Sequence, residues 1–316
     1  MFLGVDHGTT AIRFATPEGQ CWDLARKEAS LSSSEEIQKL IIEKLGSKDI
    51  DLVALSYSMG DGISRIMRLE DAPNRGLIRQ DGAGLHVGGG TRVFEAISSS
   101  GWPAILLPGI HRNSDIDPRL KVFSHGMSPE KVGLAYGVFK SISESFIVCD
   151  ASSNTVSFVV LNGRIIGAID APIFAPGLMQ GPLDVEAIRD VDSGKMTANQ
   201  AFNSGGILSK MGISSIDQCS ADEEEHALRS LSLFAAMEIA ALLVLSRERG
   251  QPNPGLFLAG SPAARICDEV SGLLGRNVLP LDRYAAARGC ARIAEDVFKG
   301  KKSILGIEVD LKGTLG

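Results

Sequence analysis

Residues 2–15 read FLGVDHGTTAIRFA, and residues 146–171 read FIVCDASSNTVSFVVLNGRIIGAIDA. Each opens on an apolar run that ends at an aspartate, Asp6 or Asp150, and then turns through small or hydroxyl-bearing residues into a second alternating run. Alternation at period two predicts strands, over about 2–6, 11–15 and 20–28 in the first copy. Pro17-Glu18-Gly19 in the first copy and Asn162-Gly163 in the second are turns leading to a third strand. The two stretches share a pattern and little identity, which predicts a duplicated domain.

The elements after each stretch repeat as well. SSSEEIQKLIIEKLG (32–46) has capping serines, acids in its first turn, apolar residues at helical spacing and Gly46 as a stop. DLVALSYS (51–58) and PAILLPG (103–109) read as buried strands, and SPEKVGLAYGVFKSISES (128–145) as a helix opened by Ser128 and Pro129. In the second half PGLFLAG (254–260) and NVLPL (277–281) are strands, accompanied by helices in SPAARICDEVSGLLG (261–275) and RYAAARGCARIAEDVFKG (283–300). The order predicts an α/β protein of two domains, 1–143 and 144–300, with a tail at 301–316. Helices flank mixed sheets and a ligand cleft lies between the halves. Residues 172–222, rich in Gly, Ser and Asp, are expected to carry cleft loops or an insert.

Composition narrows the function classes. A length of 316 residues suits one large domain or two of ordinary size. A net charge of −6 and the lack of a basic run argue against nucleic acid as a partner. Five scattered cysteines, without a C-x-x-C pair, point to buried free thiols in a reducing cytoplasm rather than to zinc or disulfides. No basic, then apolar, leader opens the chain, and the longest apolar run, LFAAMEIAALLVL (233–245), contains Glu238 and is short for a bilayer span. It is expected to be a core helix, with no membrane partner.

The chemistry concentrates where the first strand ends. In DHGTT, Gly8 lets backbone approach an anion, and the N–H groups and hydroxyls of Gly8, Thr9 and Thr10 can point at phosphate oxygens. Asp6 would hold Mg²⁺ through water, because that ion gives up its hydration shell reluctantly. A hairpin turn capped by an aspartate is the plain alternative.

With Asp150 repeating Asp6, the chain resembles the acetate and sugar kinase, heat-shock protein 70 and actin superfamily, from GVDHGTT through FIVCDASSNTVSFVVLNGRI to NPGLFLAGSPAA. The resemblance implies duplicated actin-like ATPase domains of the ribonuclease H-like kind, with nucleotide between them and ATP and Mg²⁺ as cofactors. It makes Asp150 a second metal residue and Ser152, Ser153, Asn154 and Thr155 a second phosphate loop. Gly260 and Ser261 become an adenosine loop, in which a branched side chain at Gly260 should cost nucleotide affinity and spare stability. It also places Gly133 and Gly137 on one interdomain helix and Ala287 and Ala291 on another, where missing side chains let helices cross closely. Two departures stand out: Ser152-Ser153 replaces the glycines usual after the second aspartate, and Gly260 is single where a pair is common. HVGGGTRVFEAI, PGIHRNSDIDPR and GPLDVEAIRDVDSGKMTANQAF are further similar to an archaeal family called methanogenesis marker protein 12. Membership implies the cytoplasm of a methane-forming archaeon, and no particular reaction.

Two more stretches could meet an acceptor. PGIHRNSDIDPR leaves a buried strand carrying His111, Arg112, Asp115, Asp117 and Arg119. An alcohol acceptor needs a carboxylate base, whereas a carboxylate acceptor needs Arg or His to neutralise charge, and this loop holds both toolkits. Arg–Asp pairs that merely tie the loop are the plain alternative. In HVGGGTR (86–92), Gly88, Gly89, Gly90 and Thr91 form a glycine turn at a helix start, a ready anion site with Arg92 as counter-charge. Asp61 is a weaker candidate at another strand end.

The leading expectation is ATP- and Mg²⁺-dependent phosphoryl transfer to a small-molecule substrate. The small-acid branch is favoured, because GPLDVEAIRD resembles its GP loop. The alternative is a nucleotide-dependent assembly or regulatory factor that uses closure as a switch. A homodimer or a protein partner is left open.

Overall fold

The aspartate-ended strands form where the alternation places them. The computed structural model describes residues 1–57, 62–76 and 88–311. From the N-terminus, β1 (Phe2–His7), β2 (Ala11–Ala15) and β3 (Cys21–Ala25) form an antiparallel meander, succeeded by helices α1 (Arg26–Leu31) and α2 (Ser34–Leu45). Then come β4 (Leu52–Leu55), β5 (Ile66–Arg68), α3 (Gly89–Ser98), β6 (Ala104–Leu106), β7 (Ile110–His111), β8 (His125–Met127) and α4 (Pro129–Ser141). The third strand stops at Ala25, short of the expected 28, because Arg26 opens α1. The ends of α2 are as the sequence implies: Ser33 and Glu36 make a reciprocal capping box, and Gly46 closes the helix in the left-handed conformation.

A second meander comprises β9 (Phe146–Ala151), β10 (Thr155–Leu161) and β11 (Arg164–Ile169), with Asn162 and Gly163 both at positive φ in the tight turn. The irregular stretch after it holds short helices α5 (Val185–Asp192), α6 (Ala198–Asn203) and α7 (Ile207–Lys210). Helix α8 (Ala221–Glu248), β12 (Gly255–Ala259), α9 (Ala263–Leu274) and β13 (Leu279–Pro280) complete this part. The last elements are α10 (Ala285–Phe298), β14 (Ser303–Ile304) and β15 (Ile307–Asp310).

The sheets display the duplication. Of the two large sheets one runs β14-β15-β5-β6-β4-β1-β2-β3, the other β11-β10-β9-β12-β13, while β7 and β8 form a separate pair. In both, a meander is extended by a strand parallel to its first: β4 beside β1, with Leu55 opposite Val5, and β12 beside β9, with Ala259 opposite Asp150. Each sheet has its own core. Leu3, Val5, Ile12 and Phe14 pack with Ile37 and Ile41 of α2 in one. Ile147, Cys149 and Val159 pack with Leu231, Ala235 and Ile239 of α8 in the other.

The chain divides into two compact units, Ser143–Arg283 and Met1–Ile142 joined by the residues from Tyr284 onward. The expected boundary at 300 is therefore corrected, for a physical reason. α10 packs on α4 and β1, and β15 pairs with β5, so 284–300 and the supposed tail belong to the first unit. Helix α8 also exceeds the apolar run seen in the sequence. At 28 residues it is long and apolar enough to cross a membrane, yet one face is buried against β9, β10 and α9.

Candidate functional site

β1 delivers Asp6 and His7 to opposite faces of its sheet, as the alternation of a strand requires. Asp6 is 4% exposed, and its Oδ2 accepts from Arg13 Nη1 at 3.3 Å, across the β1–β2 pair. Its Oδ1 is buried without a hydrogen-bond partner among the described residues. From the start of α4, Glu130 and the buried Lys131 add their charges, Lys131 Nζ lying 3.1 Å from Glu130 Oε1. Burial, and then Glu130, lift the Asp6 carboxyl to about 6 against the pull of Arg13 and Lys131.

An unsatisfied buried carboxylate oxygen beside a second carboxylate fits a hydrated cation. Among the described residues no group of three or more His, Cys, Asp or Glu could hold a metal, so phosphate and water would complete such an ion's shell. The turn after β1 suits that partner. Gly8 lies against the Arg13 guanidinium and the Ala11 carbonyl, where a methyl group would overlap both, and the Thr9 and Thr10 side chains are exposed.

On the other face, His7 is 9% exposed and neither ring nitrogen has a hydrogen-bond partner of normal geometry. Burial, and then the Arg26 charge, push it down to about 3, although the Gly90 backbone pulls the other way. The imidazole is therefore neutral near pH 7. Its ring meets Tyr57 edge-on at 5.2 Å, and Tyr57 Oη lies 2.9 Å from Thr91 Oγ1. The glycines of this turn have a packing reason. A methyl group on Gly89 would overlap the Arg26 carbonyl, and one on Gly90 would sit 2.9 Å from Arg26 Nη2 and 3.4 Å from His7 Cδ2. Gly88 is the N-cap of α3 without a side-chain cap, and Arg92 pairs with Glu95 at 3.5 Å. Thus the structure brings Gly88–Arg92 beside His7 and Arg26, two residues that the sequence did not single out.

The second loop is built differently. Asp150 Oδ1 accepts from Ser152 Oγ at 3.3 Å, and Ser152 N–H donates to the Asn154 carbonyl at 2.9 Å. The segment 176–180 straps the loop: Leu178 N–H donates to the Ser152 carbonyl at 2.9 Å, and Met179 and Gln180 N–H to that of Ser153 at 3.0 and 2.8 Å. Thr155 is fully buried and its hydroxyl donates to the Pro176 carbonyl at 3.0 Å, so that side chain serves the fold. Ser152, Ser153 and Asn154 stay half-buried, and Ser261 is exposed.

Gly260 needs a correction. Its φ is +99°, and a methyl group there would overlap the Ala151 carbonyl and come within 3.0 Å of Asp150 Oδ1. The end of β12 closes directly on the end of β9, so the glycine is required by the unliganded fold. A branched side chain at Gly260 costs stability first, contrary to the expectation from the sequence.

The 111–119 loop commits His111 and Asp117 to holding the fold. His111 is 3% exposed; its Nε2 donates to the Ile63 carbonyl at 2.8 Å and its Nδ1 accepts from Asn113 N–H at 3.3 Å. Asp117 accepts from the Arg119 N–H and Nε at 3.0 Å each and from Nη2 at 2.7 Å. These are the loop-tying pairs weighed from the sequence. Arg112 and Asp115 are exposed. Asp61 and His86 lie outside the described residues.

No family model matches the chain. Among curated proteins, the UPF0285 protein of Methanosarcina mazei is 49% identical over 322 residues, spanning 98% of this chain and 99% of that protein. That of Methanocaldococcus jannaschii is 40% identical over 332 residues, with the same coverage. Among solved structures, a propionate kinase from Francisella tularensis superposes with a TM-score of 0.58 at 12% identity, covering 93% of this chain and 98% of that one. Acetate kinase from Entamoeba histolytica gives 0.56 at 12%, covering 94% and 99%. At that identity the likeness is one of fold, and it agrees with the repeated meanders. The chain belongs to the UPF0285 family of methanogenic archaea, and its fold is the actin-like one of acetate and propionate kinases.

Proposed function

We propose that this protein binds ATP with Mg²⁺ and transfers a phosphoryl group to a small metabolite. The observation that carries the reading is Asp6: a buried carboxylate with an unpartnered oxygen, beside Glu130, next to a glycine-threonine turn whose hydroxyls are exposed. Asp6 and Glu130 would hold the ion through its waters, and Asp150 is the equivalent carboxylate of the second repeat. Mg²⁺, when bound, supplies positive charge against the transferring phosphoryl oxygens. Gly8, Thr9 and Thr10 donate N–H and O–H groups to phosphate. Arg13 and Lys131, which partly neutralise Asp6, stand ready to share their charge with an incoming phosphate. Likeness to acetate and propionate kinases in fold favours a carboxylate acceptor.

A second reading has its own observation. The second loop lacks glycines and its Ser152 and Ser153 carbonyls are taken by the 176–180 strap, an arrangement suited to a nucleotide-dependent switch without transfer. Tracing γ-phosphate from labelled ATP, with a panel of small carboxylates and alcohols, separates the two. Label on an acceptor supports transfer. Slow hydrolysis, indifferent to every metabolite and accompanied by a co-purifying protein, supports the switch.

A further inference from the structure

One corner of the first unit gathers groups that want an anion. The ten-residue helix α3 runs from Gly89, and its N-cap, Gly88, has no side chain to offer the Gly89 and Gly90 N–H groups. Such a terminus carries a partial positive charge and free donors. Over it lies the Arg26 guanidinium, whose Nε is buried without a partner and which has no carboxylate partner among the described residues. Behind it stands His7, whose two ring nitrogens are buried and make no hydrogen bond of normal geometry among the described residues, with the Gly90 backbone close by. Leaving a buried polar group unsatisfied is costly. Here several such groups sit together, at a strand end in an α/β sheet.

We propose that this corner is a binding site for a small oxyanion, a carboxylate or a phosphate group. The α3 N–H groups, the Arg26 guanidinium and the His7 imidazole hold it. The guanidinium and the helix terminus supply charge, and the imidazole supplies an N–H donor. Glycine at 89 and 90 is what allows Arg26 and His7 to lie against the helix start, so the same residues that shape the turn shape the proposed site. The wall is aromatic: Tyr57 packs on Phe94 at 4.6 Å between ring centroids, and the Tyr57 hydroxyl is already engaged by Thr91. Such a wall suits an anion with a short apolar remainder better than a polyhydroxyl compound.

That this anion is the phosphoryl acceptor rests on the proposed phosphotransfer; that it binds does not, and the two are measured separately. The probes are propionate and inorganic phosphate, titrated without nucleotide at constant ionic strength. Heat is measured by calorimetry, and the Gly89, Gly90 and Thr91 amide resonances by NMR. At least one probe should saturate and move those three amides. Arg26→Gln should weaken it about tenfold or more, the loss of one charge-assisted contact, while ATP affinity stays unchanged. His7→Leu should also weaken the anion yet keep or raise the melting temperature, because it removes a buried unsatisfied ring; a purely structural histidine would lower it. Saturation by propionate alone identifies a carboxylate site, and by phosphate alone a phosphate site. If neither probe saturates, if the shifts fall away from α3, or if Arg26→Gln binds as wild type does, the site is wrong. Failure of ATP to bind would instead count against the Asp6 reading and leave the pocket intact.

Discussion

Gly289 of α10 lies directly on Gly133 of α4: a methyl group on Gly289 would fall on the Gly133 carbonyl oxygen, well inside contact distance. Gly137 faces the Ala285 carbonyl of the same helix, 3.0 Å from where its Cβ would be. The two helices therefore cross backbone to backbone, and both clamp the face of the sheet that carries Asp6. Gly289→Ala has no flexible side chain to push aside. It is expected to cost at least about 3 kcal/mol, the upper end for overpacking, measured by urea unfolding. Gly272→Ala, in open space on α9, should be neutral or mildly stabilising.

Gly260→Ala is expected to lower the melting temperature of the nucleotide-free protein. The added methyl overlaps the Ala151 carbonyl, and the residue sits at a φ that side chains rarely adopt. Unchanged melting with weakened ATP binding would restore a purely nucleotide-facing role.

The two threonine sets should behave oppositely. Thr155→Val removes a buried hydroxyl that satisfies the Pro176 carbonyl, and should cost about 1–2 kcal/mol of stability. Thr9→Ala and Thr10→Ala leave exposed positions, so unfolding should shift by less than about 0.5 kcal/mol, while ATP affinity falls. Chemical denaturation and calorimetry on the three variants check both halves.

A buried carboxylate in the second unit gives a pH dependence of known sign. Glu238 of α8 is fully buried and takes a 2.5 Å hydrogen bond from Ser157 Oγ, while Oε1 makes no hydrogen bond of normal geometry among the described residues. Burial raises it from 4.5 to about 8. Between those values the folded protein keeps the proton and the unfolded chain has lost it. Stability from this group therefore falls as pH rises, by about 1.4 kcal/mol per pH unit, and levels off above about 8. Glu238→Gln keeps the Ser157 contact and should flatten the slope, with its largest gain near pH 8. Parallel curves for both proteins, from urea unfolding at several pH values, would contradict the assignment.

Much of this architecture is legible in the chain because its signals are local. Asp6 and Asp150 end apolar runs, Asn162-Gly163 fits a tight hairpin, and Ser33, Glu36 and Gly46 bracket α2 within fourteen residues. What escaped depends on neighbours distant in sequence. Nothing near Arg26 says that Gly89 and Gly90 will lie beneath it, and the silence of the His7 nitrogens appears only once Tyr57 and α3 close around the ring. The 111–119 loop misled for the complementary reason. A cluster of His, Arg and Asp has the same composition whether it faces a substrate or ties itself, and His111 and Asp117 turn out to be held by Ile63, Asn113 and Arg119. The return of α10 to the first unit was hidden likewise, since its partners α4 and β1 lie far upstream.

The central claim is that Asp6 exists for a metal-bound phosphate, and calorimetric titration of ATP into wild type and Asp6→Asn, each with Mg²⁺ and with chelator, tests it most directly. Asparagine keeps the size and most hydrogen bonds, so the fold and the metal-free affinity from Gly8, Thr9 and Thr10 should survive. Wild type should bind ATP more tightly with Mg²⁺ than with chelator, and in Asp6→Asn that gain should largely vanish. If Asp6→Asn keeps the full magnesium dependence, the carboxylate only caps a turn, and the phosphotransfer reading loses its foundation.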